Sequence, residues 1–321
     1  MEQLLLSVEN LCISFNSDTK HVRTVDHVNF KVINEDFLGI VGESGCGKTL
    51  TALSIMRLLP SNTFCSGRLM FKGEDLMTTR EEDMNGIRGS DISMIFQEPM
   101  TSLNPVFTVG NQITEVLTRH RDLSRKDAMN ETVELLRGVR IPSPEVRVKE
   151  YPHQLSGGMR QRVMIAMAIA CGPSLLIADE PTTALDVTIQ AQVLELLGEL
   201  RVENRMSILF ITHDLGIVAE YARRVEVMYA GRIVEEAMVK DIFQNPRHPY
   251  TVGLIESLPG KRGEKLKPIP GQVPLTGELP VGCKFSTRCR YVIEECHSRE
   301  PGLLPAGSDG HLSRCIRAME L

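Results

Sequence analysis

One run of residues sets the structural class of this sequence: Gly42-Glu43-Ser44-Gly45-Cys46-Gly47-Lys48-Thr49. It matches the pattern G-x-x-x-x-G-K-[ST], in which glycines let the backbone turn its N–H groups towards an anion. A short apolar strand, 37–41, comes before it, and a predicted helix, 48–59, follows. Because the N-terminus of a helix carries a partial positive charge, the run predicts a phosphate site. Lys48 would reach the β- and γ-phosphates, and Thr49 would hold Mg²⁺.

A second apolar strand ends in two carboxylates, in the run Leu175-Leu176-Ile177-Ala178-Asp179-Glu180. An Asp at a strand end beside a phosphate loop is the usual second anchor for Mg²⁺. Glu180 is then placed to act as the general base for the attacking water. Taken alone, two acids after a strand are more often a solvated strand end, and it is the phosphate loop that favours the catalytic interpretation.

Strands alternate with helices along the chain, which predicts an α/β fold with a mostly parallel sheet covered on both faces. The pattern becomes helical over roughly 100–160, which indicates an inserted helical subdomain. Predicted strands lie at 4–8, 28–32, 37–41, 69–71, 92–96, 175–178, 208–211 and 225–229, and predicted helices lie within 48–59, 109–139, 157–170 and 187–200.

The composition is that of a globular protein. The chain has 321 residues, of which 42% are hydrophobic and 24% charged, enough for one large domain or two ordinary ones. The net charge of −5 and the aromatic content of 5% disfavour a nucleic acid partner. No signal peptide is visible over 1–10, and the apolar run 163–178 is too short to span a membrane. We therefore expect a cytosolic chain.

The cysteines and prolines crowd towards one end. Residues 246–321 hold 9 of the 17 prolines and 11 Lys/Arg against 8 Asp/Glu, so the composition changes near residue 245. Four of the eight cysteines follow the spacing Cys283-x5-Cys289-x6-Cys296-x18-Cys315. Four thiolates suit Zn²⁺ or an iron–sulfur cluster. The alternative is that these cysteines pack as small apolar residues, as we expect for Cys12, Cys46, Cys65 and Cys171.

Further motifs appear in an order that resembles the ABC-type ATPases. The run Leu155-Ser156-Gly157-Gly158-Met159-Arg160-Gln161-Arg162 resembles their signature motif. Phe15 lies where an aromatic residue of that family would stack on adenine, and Gln97 is similar to the Q-loop glutamine. The run Thr183-Ala184-Leu185-Asp186 is similar to the D-loop, and His213 is similar to the switch histidine.

This resemblance implies the fold and the site. The fold would be a P-loop NTPase of the ABC nucleotide-binding type, with a mixed sheet, an inserted helical subdomain and a cysteine-containing C-terminal extension. The expected divisions are an ATPase core with an N-terminal antiparallel β part (1–99 and 161–245), a helical signature subdomain (100–160) and the extension (246–321). Catalytic roles would fall to Glu180, His213 and Gln97. Nucleotide contacts would come from Phe15, residues 42–49, Gln97, Ser156, Gly157, Gly158, Asp179 and Asp186, and Mg²⁺ ligands from Thr49, Gln97 and Asp179.

Three longer runs resemble one branch of that family, the D-subunit ATPases of dipeptide and oligopeptide importers. They are Phe96-Gln97-Glu98-Pro99-Met100-Thr101-Ser102-Leu103-Asn104-Pro105, Tyr151-Pro152-His153-Gln154-Leu155-Ser156-Gly157-Gly158-Met159 and Arg247-His248-Pro249-Tyr250-Thr251. Met159 replaces the glutamine common across ABC proteins. The resemblance implies a [4Fe–4S] cluster on Cys283, Cys289, Cys296 and Cys315, with zinc as the alternative.

The same resemblance implies the partners. They would be a second ATPase subunit of the F type, two permease subunits contacted near Thr101–Val109, and an extracytoplasmic peptide-binding protein, with this chain on the cytoplasmic face of the membrane. Importers of another solute, such as nickel or glutathione, remain an alternative. An ABC ATPase acting on DNA or ribosomes is disfavoured, because 50–154 shows no sustained heptad, the chain has one cassette, and residues 1–245 are acidic.

Overall fold

The computed structural model describes residues 3–17, 20–97, 102–183, 185–258, 268–274, 276–307 and 309–321. The strands are β1 (Leu4–Ser17), β2 (Lys20–Ile33), β3 (Phe37–Val41), β4 (Thr63–Phe71), β5 (Glu74–Asp75), β6 (Ile92–Ile95), β7 (Leu175–Asp179), β8 (Ser207–Thr212), β9 (Arg224–Tyr229), β10 (Arg232–Met238), β11 (Leu304–Pro305) and β12 (Leu312–Ser313). The helices are α1 (Lys48–Ile55), α2 (Glu81–Ile87), α3 (Val109–His120), α4 (Arg125–Gly138), α5 (Pro144–Arg147), α6 (Gly157–Ile169), α7 (Val187–Glu203), α8 (Leu215–Tyr221), α9 (Val239–Gln244), α10 (Pro249–Glu256) and α11 (Glu295–Ser298).

The chain divides into two units. The first consists mainly of 33–36 and 78–209, and the second of 4–32, 37–77 and 210–321. Strand β8 belongs to both, because the division falls between Leu209 and Phe210. The phosphate loop and the C-terminal extension are therefore parts of the same unit, whereas the acidic strand β7 and the helices of 109–169 belong to the other.

The first unit combines a parallel strand pair with a group of helices. Strand β6 pairs with β7 in parallel, from Ile92 opposite Leu175 to Ile95 opposite Ala178. Helices α3 and α4 pack through buried apolar side chains, and the hydroxyls of Thr114 and Thr132 lie 3.1 Å apart between them. The helical pattern predicted for 109–139 is thus two helices. The second begins at Ser124, whose side chain accepts the N–H of Asp127 as an N-cap.

The second unit holds an antiparallel sheet in the order β2-β1-β4-β5 and the strand order β11-β12-β10-β9-β3. Strand β3 pairs with β9 in parallel, while β10 is antiparallel to β9 and to β12. The unit therefore has the mixed sheet that the family resemblance implies, and not the mostly parallel one that the strand–helix alternation predicts. The reason is the short connection at Ala230 and Gly231, both with positive φ, which folds β10 straight back on β9 as a hairpin.

The C-terminal extension contributes to the core of the second unit. Ring centroids of Tyr229, on β9, lie 4.7 Å from Tyr250 and 5.2 Å from Phe285, and the last two lie 5.5 Å apart. These rings belong to a buried cluster that also includes Val41, Val225 and Val227. The extension is thus packed against the strands that carry the phosphate loop.

Candidate functional site

The phosphate loop joins β3 to α1, and its shape requires glycine at two positions. A side chain at Gly42 would place its Cβ 2.1 Å from the carbonyl oxygen of Met228. Gly47 takes φ +106 at the start of α1, a conformation that L side chains rarely adopt. The loop therefore turns as the sequence pattern predicts, with the helix N-terminus directly behind it.

Lys48 lies folded over the loop. Its Nζ donates to the carbonyl oxygens of Gly42 at 2.8 Å and Glu43 at 3.1 Å. The neighbouring thiol of Cys46 is 1% exposed, and burial raises its pKa above the ordinary value, although the charge of Lys48 acts in the opposite direction. A buried ammonium group held by two carbonyls can exchange them for phosphate oxygens at little cost in desolvation.

Two residues of the extension, which the sequence did not single out for this role, contact Glu43 of the loop. The hydroxyl of Tyr250 accepts the backbone N–H of Glu43 at 2.9 Å. The guanidinium of Arg288 binds the carboxylate of Glu43 at 2.6 and 2.9 Å, and this pairing raises the pKa of Arg288. Tyr250 lies in one of the runs used for the family resemblance, but Arg288 carries no local signal, because it is 245 positions from its partner.

The carboxylate of Glu180 is oriented within the first unit. Its Oε2 accepts bonds from Nε2 of Gln97 at 3.1 Å and from Oγ1 of Thr183 at 3.0 Å. Glu180 has φ 46, so the chain turns sharply directly after β7, and Asp179 is buried at the end of that strand. The structure therefore brings Gln97, Asp179 and Glu180 to one strand end, as the motifs predict. Thr183 is an addition that only the turn reveals.

The signature run opens α6. The hydroxyl of Ser156 accepts the N–H of Met159 at 3.3 Å, which makes Ser156 the N-cap. A Cβ at Gly158 would lie 2.7 Å from the side chain of Ile189 on α7, so the two helices approach closely there. Asp186 caps α7 through the N–H of Ile189 at 3.0 Å. Both helix N-termini are thus built and capped by the residues predicted to contact nucleotide.

The remaining predicted site residues are distributed as follows. Phe15 is half-buried on β1 opposite Thr63, and His213 is exposed directly after β8. Both belong to the second unit, as does the phosphate loop. The first unit holds the other predicted site residues, which are Gln97, Asp179, Glu180, the signature run and Asp186. Glu98 to Thr101 and Ala184, which the motifs include, lie outside the described residues.

The four cysteines of the extension line one small cavity. None is in a disulfide. Burial raises the pKa of Cys283 to about 11 and that of Cys315 to about 12, and in both the neighbouring cysteines raise it further. The rest of the lining is largely apolar and includes Pro249, Phe285 and Ile316. Four soft donors line this apolar cavity, which is the donor chemistry of a thiolate-bound iron–sulfur or zinc centre, but no three of their sulfur atoms lie within 4.8 Å of one another.

Another group of possible ligands lies on the antiparallel sheet. Ligand atoms of Cys12, Asp26 and His27 lie within 4.8 Å of one another. Asp26 is already paired with Arg23 and Arg232, and their charge keeps its pKa below the ordinary value despite its partial burial. Two guanidinium groups on the central carboxylate oppose a cation, so we assign no metal here. No helix within the described ranges is both long and apolar enough to cross a membrane.

Solved structures of ATP-binding cassettes share this fold. The dimeric cassette MJ0796, in a post-hydrolysis state with ADP and Pi, aligns over 73% of this chain and 98% of its own, with a TM-score of 0.65 and 24% identity. The cbiO1 protein of Clostridium perfringens, part of the ABC transporter complex cbiONQ, aligns over 75% of this chain and 91% of its own, with a TM-score of 0.63 and 26% identity. The fold and the loops thus define an ABC-type ATPase, a class that binds ATP with Mg²⁺.

Sequence comparisons show which branch of the ABC-type ATPases this chain resembles. The ABC transporter family model matches 25–183, and the model of the oligopeptide/dipeptide transporter C-terminal region matches 234–296. A putative peptide import ATP-binding protein of Brucella ovis is 51% identical over 99% of this chain and 98% of its own length. The dipeptide transport ATP-binding protein DppD of Bacillus subtilis is 50% identical over 97% of this chain and 94% of its own. This chain belongs to the family of peptide-import ATP-binding proteins of ABC transporters.

Proposed function

We propose that this chain hydrolyses ATP to power the uptake of di- or oligopeptides through separate membrane permease subunits. The observation that carries the proposal is the match of its C-terminal region, 234–296, to that of oligopeptide/dipeptide transporters, behind a cassette with an intact phosphate loop. Importers of nickel or glutathione are the alternative. Uptake of a labelled tripeptide into proteoliposomes holding the complex, with unlabelled glutathione and Ni²⁺ as competitors, distinguishes these solutes.

The roles of the site residues follow from their chemistry. Lys48 and the loop backbone would hold the phosphates. The residues that would ligate Mg²⁺ are Thr49 in the second unit and Asp179 in the first, with Gln97 contributing to the ion or the attacking water. Glu180 takes the proton from that water, and the bonds from Gln97 and Thr183 aim its carboxylate. His213 contacts the γ-phosphate. Phe15 stacks on adenine.

The residues of the signature helix bind nucleotide held by a second ATPase subunit. Ser156, Gly157 and Gly158 stand at the N-terminus of a 13-residue helix, where backbone N–H groups favour an anion. Asp186 caps the following helix, because its side chain accepts the backbone N–H of Ile189. The family resemblance is the support for a second subunit of the F type, in a heterodimer.

Hydrolysis is tested at Glu180. Glu180→Gln should lower kcat for ATP hydrolysis by about 10²–10⁴-fold, the contribution of a general base, while ATP still binds and stabilises a dimer. Glu203→Gln, an exposed acid at the end of α7, is the matched control and should hydrolyse ATP normally. Wild-type turnover in Glu180→Gln would reject the assignment.

An ABC importer ATPase works with membrane permease subunits, and this chain docks on them through the segment before α3. Val106 and Phe107 are large apolar side chains that are 71% and 49% exposed. They adjoin a groove lined by Phe107, Asn111, Thr114, Glu115, Thr118 and Arg125. Exposed apolar side chains beside a groove fit the docking of a short permease helix. Such docking would put the chain on the cytoplasmic face of the membrane, and the family resemblance is the support for a peptide-binding protein on the other side.

The four cysteines of this cavity would hold a [4Fe–4S] cluster, which would cross-link the segment that carries them. The support for it is the donor set of free thiols around one cavity. Protein purified without oxygen should be brown and contain iron and sulfide in equal amounts, and Cys296→Ser should lose both, whereas Cys171→Ser should not. Colourless protein with stoichiometric zinc would reject iron and retain the site, and protein with neither would reject a metal centre.

A further inference from the structure

Two side chains of the C-terminal extension meet at one residue of the phosphate loop. The Tyr250 hydroxyl accepts the backbone N–H of Glu43, and Arg288 makes two parallel bonds to its carboxylate, Nη1 to Oε2 at 2.6 Å and Nη2 to Oε1 at 2.9 Å. Both the backbone and the side chain of Glu43 are therefore fixed by residues that lie outside the nucleotide-binding motifs.

The surroundings leave Arg288 little freedom. Its side chain is 4% exposed, against 29% for Glu43. Its Nε donates to the carbonyl oxygen of Pro270 at 2.9 Å, and its guanidinium lies 5.8 Å from the ring centroid of Tyr229. A bidentate fork held in place on its other edge fixes a carboxylate in direction as well as in distance.

The residue so fixed adjoins the lysine of the loop. The carbonyl oxygen of Glu43 accepts a bond from Nζ of Lys48 at 3.1 Å, so the orientation of this peptide bears on the lysine. Glu43 also brings a carboxylate to a loop that receives the triphosphate anion. Without a cation beside it, that carboxylate would repel the phosphates, and the repulsion would grow with their charge.

We propose that Arg288 is a positioning residue for ATP binding, which fixes Glu43 and neutralises its charge, with Tyr250 holding the same residue by its backbone. The inference rests on the proposed role of the phosphate loop in binding ATP. The extension would then affect the affinity for ATP through Arg288 and Tyr250, which contact the phosphate loop and not the nucleotide.

The test compares dissociation constants for Mg·ATP and Mg·ADP in the full chain purified without oxygen. Arg288→Gln should weaken ATP binding about tenfold and ADP binding about threefold, because the unpaired carboxylate repels the more highly charged ligand more strongly. The double variant Glu43→Gln/Arg288→Gln should bind ATP within about threefold of wild type, since the carboxylate is gone. A purely structural role would weaken both ligands equally and would not be relieved by the second substitution.

Arg290→Gln is the matched control. Arg290 also neighbours Cys289 and makes two 2.7 Å bonds to a carboxylate, that of Glu256, but it does not touch the loop. It should bind ATP as wild type does. The proposal is overturned if Arg288→Gln binds ATP as tightly as wild type, if Arg290→Gln loses as much affinity, if ATP and ADP weaken equally, or if the double variant does not recover.

Two further variants separate a failure of the positioning role from a failure of the phosphate loop or of folding. Lys48→Ala tests the phosphate loop itself: if that variant binds ATP normally, the proposed function fails, and if it loses binding while Arg288→Gln does not, only the positioning role fails. Should Arg288→Gln not fold, as judged by circular dichroism, Arg288→Lys replaces it. Lysine keeps the charge but cannot form the fork, so we expect about threefold weaker ATP binding, and unchanged affinity would contradict the proposal.

Discussion

At the scale of one residue, the fold of the phosphate loop shields the reactive thiol of Cys46 from solvent. Its thiol is buried, and burial raises its pKa, so the thiol stays protonated at neutral pH. We predict that iodoacetamide labels Cys46 far more slowly than the half-buried Cys12 between pH 7 and 9, with the rate at Cys46 rising with pH as thiolate forms. Mass spectrometry of the tryptic peptides measures both rates. Equal labelling of the two thiols at pH 7 would contradict this prediction.

Individual residues of the site differ in how far the sequence reveals them. Lys48 and Thr49 follow from a pattern of eight positions, because that pattern encodes one local backbone shape. Thr183 lies in a predicted motif, yet its bond to Glu180 depends on a positive φ that no pattern states. Arg288 could not be predicted to contact the loop at all, since its pairing with Glu43 arises only from tertiary packing.

At the scale of elements, the signature helix α6 and the helix α4 provide a matched pair. Each begins with a serine whose hydroxyl caps the helix, Ser156 and Ser124. We predict that Ser156→Ala and Ser124→Ala each lower the free energy of unfolding by about 1 kcal/mol, the usual cost of losing a cap. Chemical denaturation of both variants measures this cost.

Only one of the two caps belongs to the proposed nucleotide site. Ser156→Ala should therefore also reduce ATP hydrolysis by the assembled dimer, whereas Ser124→Ala should not. If both variants hydrolyse ATP equally well, the signature serine acts as a helix cap alone.

The limits of a strand can be predicted from the sequence where burial makes its hydrophobic pattern unambiguous. Strand β3 was predicted with its observed limits, Phe37–Val41, because all its residues are buried and it is therefore uniformly apolar. Strand β10 was not predicted, since its charged positions, among them Glu235 and Glu236, hide its alternation. The hairpin that carries it makes part of the sheet antiparallel, a consequence of a short turn that the coarse strand–helix alternation does not resolve.

At the scale of the whole molecule, one buried carboxylate of the cassette binds two parts of the extension in the second unit. Glu235, on β10, accepts the backbone N–H groups of Arg247 at 2.5 Å and His248 at 3.0 Å, and lies 2.8 Å from Nε2 of His311. Three separate parts of the chain thus meet at a residue that is fully buried. The change of composition near residue 245 is therefore not a boundary between independent cores.

Phe285 tests whether the extension and the cassette unfold together. Its ring is 3% exposed and packs on Tyr229 of β9 and on Tyr250, so Phe285→Ala should lower the free energy of unfolding by about 3–5 kcal/mol. Val281→Ala, at an 86% exposed position of the same segment, is the control and should change it by less than about 0.5 kcal/mol. The buried cluster includes Val41, which directly precedes the phosphate loop. The decrease in the free energy of unfolding should therefore be the same for a probe on the loop and for one on the extension.

Hydrogen exchange of both segments under increasing denaturant measures these two free energies. Destabilisation confined to the extension would show that it opens separately from the loop.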